Sequence, residues 1–194
     1  GPNPTGAWAA GNNINTARRQ AAAAGIQTSA LIFGGYSDAK QDITESYNGS
    51  TWTEVADLNV AKSLLSSAGA TNTAALSFGG VIPPNAAGAT TELWNGTSWT
   101  EVGDLNTARA ILIGAGTRTA GVVAGGNEPG YSAKTEEYNG SSWSEGGDMI
   151  SGRCGLGGAG IQNAALAICG ADAPNCTCTE LYNGSAWSAG AALN

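Results

Sequence analysis

Tryptophan recurs in this chain at positions 8, 52, 99, 143 and 187, in steps of 44, 47, 44 and 44 residues. A fixed period of that length is the mark of a repeated supersecondary unit. Such a unit cannot bury its apolar face alone, so it must stack on its neighbours. The period therefore makes the chain a single array, although 194 residues could also be more than one domain. Residues 1–7 form a Pro/Gly-rich lead-in, and the opening Gly1-Pro2 reads as the remnant of a cleaved tag. Residues 8–194 then read as one domain, with units starting near Trp8, Trp52, Trp99 and Trp143 and a fifth, partial one from Trp187. The rest of a larger parent chain is expected beyond these bounds.

Each unit reads the same way. The segment that opens at the Trp is strand d. Ten places past the Trp stands a basic residue: Arg18, Lys62, Arg109 or Arg153. A run of very small residues follows (strand a; Ala22-Ala23-Ala24-Gly25 in the first unit), then an apolar strand b such as Ala30-Leu31-Ile32-Phe33. A glycine pair closes strand b at Gly34-Gly35, Gly79-Gly80 and Gly125-Gly126, with Cys169-Gly170 in the last unit. The stretches 36–43, 81–90, 127–134 and 171–178 then differ freely. Strand c follows (Thr-Glu-x-aromatic) and ends in Asn-Gly at Asn48, Asn95, Asn139 and Asn183.

Asn-Gly between short apolar runs signals a tight hairpin in which both residues take positive φ. Four short antiparallel strands per repeat make a propeller blade. Nothing has helical length or period, which excludes a solenoid of helix pairs. Thirty glycines and only 12% charged residues fit short strands joined by tight turns. The fold class expected is all-β, a β-propeller of four-stranded antiparallel blades. Strands a, b and c occur four times and strand d five, so a closed ring of four blades is favoured, with small residues crowding the axis. The alternative is an arc of a six- or seven-bladed ring.

The glycine pair, the strand c aromatic, the strand d Trp and the basic residue after it together resemble the kelch repeat. The resemblance runs from Trp8 to Trp187. The Tyr-Asn-Gly-Ser-x-Trp and Leu-Asn-x-Ala-Arg wording looks like kelch-like arrays of marine phages and aquatic microbes. It implies an extracellular or virion-associated location, and closure of one blade by strands from both chain ends.

Equivalent positions in equivalent blades have one structural job. Trp52, Trp99, Trp143 and Trp187, with Tyr47, Trp94, Tyr138 and Tyr182, are expected to fill the space between blades rather than form a sugar platform. Glu45, Glu92, Glu136 and Glu180 share a face with those strand c aromatics. A partly buried carboxylate there needs a partner, and Arg18, Lys62, Arg109 and Arg153 are the candidates. Lys62 should make the weakest pair, because an ammonium lacks the planar fork.

Much chemistry is absent. The net charge of −7 leaves no basic footprint for nucleic acid or an anionic membrane, and no apolar run could insert into one. With no His there is no Ser-His or Cys-His nucleophile and no ordinary zinc or copper site. No Gly-Lys-Ser/Thr marks a phosphate loop, and no asymmetric carboxylate pair suggests glycoside chemistry. An enzyme is not expected, nor a metal or cofactor. Asn-Gly-Ser/Thr also matches a glycosylation acceptor, but hairpin chemistry accounts for it. Cys154, Cys169, Cys176 and Cys178 all fall in the last unit, where three pairings and free thiols stay open.

Repeat symmetry breaks in the b–c connections. They carry Tyr36, Asp38 and Lys40; Pro83, Pro84 and Asn85; Asn127, Glu128 and Tyr131; Asp172 and Asn175. Four unlike loops on one rigid face suit recognition of a protein or a cell-surface glycan. The reading is a non-catalytic recognition or adhesion module, with a structural spacer or assembly domain of a larger fibre as the alternative.

Overall fold

A computed structural model describes residues 10–171 and 177–193. The chain is all-β, with four four-stranded antiparallel sheets, each a simple meander. The first sheet is β1 (Ala22–Ile26), β2 (Ser29–Phe33), β3 (Thr44–Tyr47) and β4 (Trp52–Glu54). The second has β5 (Ser66–Thr71) and β6 (Ala74–Phe78), a small ribbon of β7 (Val81–Ile82) and β8 (Ala86–Ala87), then β9 (Thr91–Trp94) and β10 (Trp99–Glu101). The third repeats this with β11 (Ile113–Gly116), β12 (Gly121–Ala124), the ribbon β13 (Asn127–Glu128) and β14 (Gly130–Tyr131), β15 (Thr135–Tyr138) and β16 (Trp143–Glu145). The fourth is β17 (Gly157–Ile161), β18 (Ala164–Ile168), β19 (Thr179–Tyr182) and β20 (Trp187–Ala189). The expected fifth d strand around Trp8 lies outside the described residues.

The hairpin between strands c and d is not the two-residue turn that Asn-Gly suggests. Tyr47 pairs with Trp52 and leaves Asn48 to Thr51 as the loop, and only Gly49 has positive φ, at 92°. Asn48 instead accepts bonds from the N–H groups of Ser50 and Thr51 on its side-chain oxygen, both at 2.9 Å. Asn95, Asn139 and Asn183 do the same. The side chain of Asn, mimicking a backbone acceptor, fixes this turn.

The sheets pack face to face in chain order through three apolar clusters. Leu31, Phe33 and Leu58 of the first sheet meet Trp94 and Trp99 of the second. Leu76, Phe78 and Leu105 meet Val123, Tyr138 and Trp143. Val122, Ala124 and Met149 meet Ala167, Tyr182 and Trp187. Phe33 meets Trp99 edge-on at a centroid distance of 4.8 Å, and Phe78 meets Trp143 likewise at 5.0 Å. Edge-on geometry is the arrangement the ring quadrupoles favour. Each indole also donates to a threonine hydroxyl on the preceding sheet: Trp99 to Thr44 (3.0 Å), Trp143 to Thr91 (3.0 Å) and Trp187 to Thr135 (2.8 Å). The polar tip of each buried Trp is thereby satisfied.

A closed ring of four would need a fourth interface, and among the described residues no apolar cluster joins the fourth sheet to the first. β17 is exposed along its whole length. Leu193 stands where Leu58 and Leu105 stand, yet it is 47% exposed against 3% and 4%. At the other end Trp52 is only half-buried, and its indole donates to Asn12 O rather than to a threonine. The small residues of the a strands let adjacent inner strands approach closely. A Cβ on Gly114 would lie 2.4 Å from the Phe78 ring and 2.5 Å from Ser67 O.

Cys169 occupies a glycine position without changing the backbone. Its φ of 55° matches Gly34 at 64° and Gly79 at 63°. A Cβ on Gly34 would come within 2.7 Å of Lys62 O in the next unit, whereas no next unit faces Cys169 here. Cys154 and Cys169 are free thiols, so of the pairings the sequence left open, the one between these two does not form.

This packing separates two glycines of strand a. Gly114→Ala should lower stability by about 1–3 kcal/mol through overpacking. Gly157→Ala, whose Cβ would meet nothing nearer than 3.7 Å, should leave the urea midpoint unchanged.

Candidate functional site

Every b–c connection lies beside the crossover that enters its sheet. Isolated bridges tie Arg19 to Tyr36, Ser63 to Val81, Ala110 to Asn127 and Cys154 to Ala171. Both kinds of segment therefore share one face of the molecule, and the described parts of the four unlike loops are on it.

Beneath each loop is a buried ion pair. Arg18–Glu45 (2.5 Å), Lys62–Glu92 (3.1 Å), Arg109–Glu136 (2.8 Å) and Arg153–Glu180 (2.6 Å) are almost wholly withdrawn from solvent. The expected two-pronged contact does not occur, because the guanidinium fork is divided. Arg109 gives Nη2 to Glu136 and Nη1 to the carbonyls of Gly125 (2.9 Å) and Lys134 (2.6 Å). Those carbonyls lie just before and just after the loop 127–134 tip. Arg153 bridges Cys169 O (3.0 Å) and Cys178 O (3.2 Å) in the same way. Lys62 has one nitrogen, which reaches Thr90 Oγ1 at 3.2 Å and its carbonyl at 3.4 Å. Arg18 instead turns to Thr16 O (3.0 Å) and Ile32 O (3.4 Å), so it is in the other three sheets that the cation fastens the base of the loop while it neutralises the carboxylate.

The carboxylate in turn holds the crossover. Glu45, Glu92, Glu136 and Glu180 accept from the N–H groups of Asn15 (2.6 Å), Asn59 (2.6 Å), Asn106 (2.7 Å) and Ile150 (2.7 Å). Asn59 adds its side-chain amide, shared between Glu92 (2.9 Å) and Trp99 O (3.3 Å), and Asn106 does the same with Glu136 and Trp143 O. Ile150 has no such group and is 63% exposed.

Burial alone pushes the Glu45 carboxyl up. The hydrogen bonds from Arg18, Asn15 and Thr16 and the Arg18 charge outweigh it and leave the group below the ordinary 4.5. Burial pushes the Lys62 ammonium and the Arg109 guanidinium down, opposed by Glu92 and Glu136.

The loop residues named from the sequence fall into two groups. In the first, Arg19 lies 5.1 Å over the Tyr36 ring, and Lys40 reaches into the next loop to Pro84 O (3.0 Å) and Asn85 Oδ1 (2.8 Å). Asp38 and Asn85 are exposed beside them. In the second, Asn127 and Tyr131 face each other across the β13–β14 ribbon, with Tyr131 exposed. There Glu128 is held by Ser132 Oγ (3.0 Å) and Lys134 (3.4 Å). No described bond joins the two groups. Asp172 and Asn175 lie outside the described residues.

One feature of this face had no sequence signal. Gln20, Leu64 and Ile111 take φ of 59°, 54° and 58°, and Gly155 takes 65° at the equivalent place. Their backbones form a string: Leu64 N–H donates to Gln20 O (2.9 Å), Ile111 to Leu64 O (3.0 Å) and Gly155 to Ile111 O (3.0 Å). Gln, Leu and Ile are not residues that favour the left-handed region, so only the sheet-to-sheet bond explains the conformation. A shallow cleft of about 220 Å³ lies over the string, lined by Leu64, Ile111 and Leu156. At the opposite end of the inner strands a wider hollow of about 580 Å³ is lined by small residues of all four sheets together with Ile26 and Gln27, with no charged group. Among the described residues no cluster of His, Cys, Asp and Glu could hold a metal ion.

No known family model matches the chain, and a search of curated proteins finds no match.

Three outcomes follow from the bonds that hold these carboxylates. Ile150→Asn should restore both side-chain bonds and raise stability by about 1–2 kcal/mol, read as a higher Tm. Because the folded pKa of Glu45 is depressed, its contribution is complete above pH 4.5 and is lost as pH falls through the folded value. The urea midpoint should therefore drop on acidification below pH 4.5. Glu45→Gln should cost about 3 kcal/mol at neutral pH and flatten that part of the acid limb.

Proposed function

We propose that the four sheets are successive blades of a kelch-like β-propeller, arranged as an open arc, and that the chain is a non-catalytic recognition module. Support for the arc comes from the three inter-sheet cores and from two terminal faces that carry the same residue pattern without a neighbour among the described residues. Support for recognition comes chiefly from one observation: Arg109 and Arg153 each bond carbonyls on both sides of their b–c loops and Lys62 bonds Thr90 at the end of its own, so loops are rigidly mounted while their tips differ. Rigid mounting lowers the entropy lost on binding, which is what a contact surface needs.

The first patch, Tyr36, Lys40 and Asn85, presents an aromatic ring, a cation and an amide across two adjacent loops. The second presents Tyr131 with Asn127 and Glu128. Aromatic rings beside amides and carboxylates suit a sugar or a polar protein surface, so a protein or a cell-surface glycan is the proposed ligand class. An extracellular or virion-borne parent is the setting that fits the kelch-like resemblance.

Glycan arrays and cell-surface pull-downs with the intact chain should yield a ligand. Tyr36→Ala with Lys40→Ala, or Tyr131→Ala, should weaken its capture at least about tenfold while Tm stays put. Binding that survives scrambling of residues 36–43, 81–90 and 127–134 together would refute the loop-face reading.

A further inference from the structure

The two open ends of the row are the two halves of one interface. The fourth sheet presents Leu166, Ile168, Leu181 and Leu193, on the face that also holds the buried Thr179, in the places held in the first sheet by Leu31, Phe33, Ser46, Leu58 and Thr44. Those first-sheet residues pack on the second sheet, and Leu31, Phe33, Thr44 and Leu58 are buried there. The first sheet presents Ala30, Tyr47 and Trp52, the places held by Ala75, Trp94 and Trp99, which are buried in the same cluster. Leu181 is 49% exposed, while Leu93, its equivalent on the second sheet, packs against the cluster containing Tyr138 and Trp143.

The hydrogen bonds end in a matching way. The backbone string that runs from Gln20 to Gly155 leaves a donor at Gln20 N–H and an acceptor at Gly155 C=O, and none of the described bonds uses either. Gln162 donates to Gly121 O (3.2 Å) and Tyr138 O (2.8 Å) of the sheet before it, whereas Gln27, at the same place in the first unit, is exposed and makes no described bond.

We infer that a second copy of this chain docks head to tail, the open face of its first sheet on the open face of the fourth. A copy meeting its partner at both ends closes a pair with a twofold axis, the commonest way for a head-to-tail contact not to grow into a fibre. In the pair Trp52 transfers its indole N–H from Asn12 O to Thr179 Oγ1 of the second copy, as Trp99 bonds Thr44. The Thr179 hydroxyl, which donates to Ala191 O (2.7 Å), still has lone pairs to accept it. Gln20 N–H meets Gly155 O, and Gln27 takes the carbonyls of Ala165 and Tyr182. Residues 11–14, exposed apart from half-buried Ile14, make way for the strand-d tail that ends in Leu193. Cys169 is the one misfit. A Cβ at the equivalent Gly34 comes to 2.7 Å from Lys62 O, so Arg18 of the docked copy must stand off by a few tenths of an ångström.

The inference rests on the arc of blades and is independent of the loop-face reading. Sedimentation velocity and light scattering over micromolar concentrations test it with the full chain. The expected mass is twice the 19.2 kDa of the chain. Leu181→Glu changes an exposed residue and should give a folded monomer with an unchanged circular-dichroism spectrum, weakening the pair on the order of 30-fold or more. Tyr47→Lys should do the same from the other face. An equimolar mixture of the two variants should recover the pair, since one contact is then Glu against Lys and the other is wild type. Cys169→Gly should tighten it. A chain that stays monomeric at every concentration overturns the inference, as does a mixture that stays monomeric, and an open-ended ladder of masses overturns the closed pair. Loss of ligand capture in the loop variants, by contrast, leaves the mass unchanged.

Discussion

The structure depends on one buried carboxylate per sheet, placed where three pieces of chain meet. A glutamate taken out of water is costly unless every lone pair finds a donor, and a lone partner cation would not suffice. Glu136 meets the demand with Arg109 Nη2, the N–H groups of Asn106 and Thr107, and the Asn106 amide. Those donors come from the crossover that leaves the sheet before it. Solvating the charge is therefore the same act as fixing how one sheet follows another. The second arginine nitrogen, spared from the carboxylate, is what turns a structural pair into a mount for the loop above it.

Apolar packing does the rest, and its direction is set by the same residues. In each interface the later sheet contributes an indole and an aromatic from its outer strands. The earlier sheet contributes aliphatic or phenylalanine side chains from strand b and the threonine that receives the indole N–H. Such an interface is directional, with unlike faces. A row of these sheets has two different ends, each complete in chemistry and lacking only its complement. That is why the fourth sheet can carry exposed leucines and a cysteine in a glycine's place. Cys169 falls where a neighbouring unit serves the other sheets.

The loop face inherits rigidity from below and variety from its own sequence. Lys40 joins the first two loops into one patch, and the Glu128–Lys134–Ser132 set closes the third on itself. The result is two unlike patches on a common mount rather than one continuous surface. Their separation could not be read from the sequence, which orders the loops along the chain but says nothing of which side chains span the gaps between them.

Strand order, the four-stranded sheet and the partnership of glutamate with the basic residue were legible in the sequence, because each is fixed by short-range pattern. Alternation assigns faces, the period assigns equivalence, and a buried charge has few partners to choose from. The asparagine of the c–d turn was legible as a turn but not in its role, since side-chain capping and positive φ favour the same residue types. The left-handed string at Gln20, Leu64 and Ile111 left no mark at all, because bonds between sheets impose it against residue preference. Whether four sheets close on themselves also escaped the sequence. The angle between neighbours is the sum of many side-chain volumes at the interface, and small residues on the inner strand serve a close approach in a row as well as in a ring. Only the packed structure could decide that three interfaces form, with no fourth among the described residues.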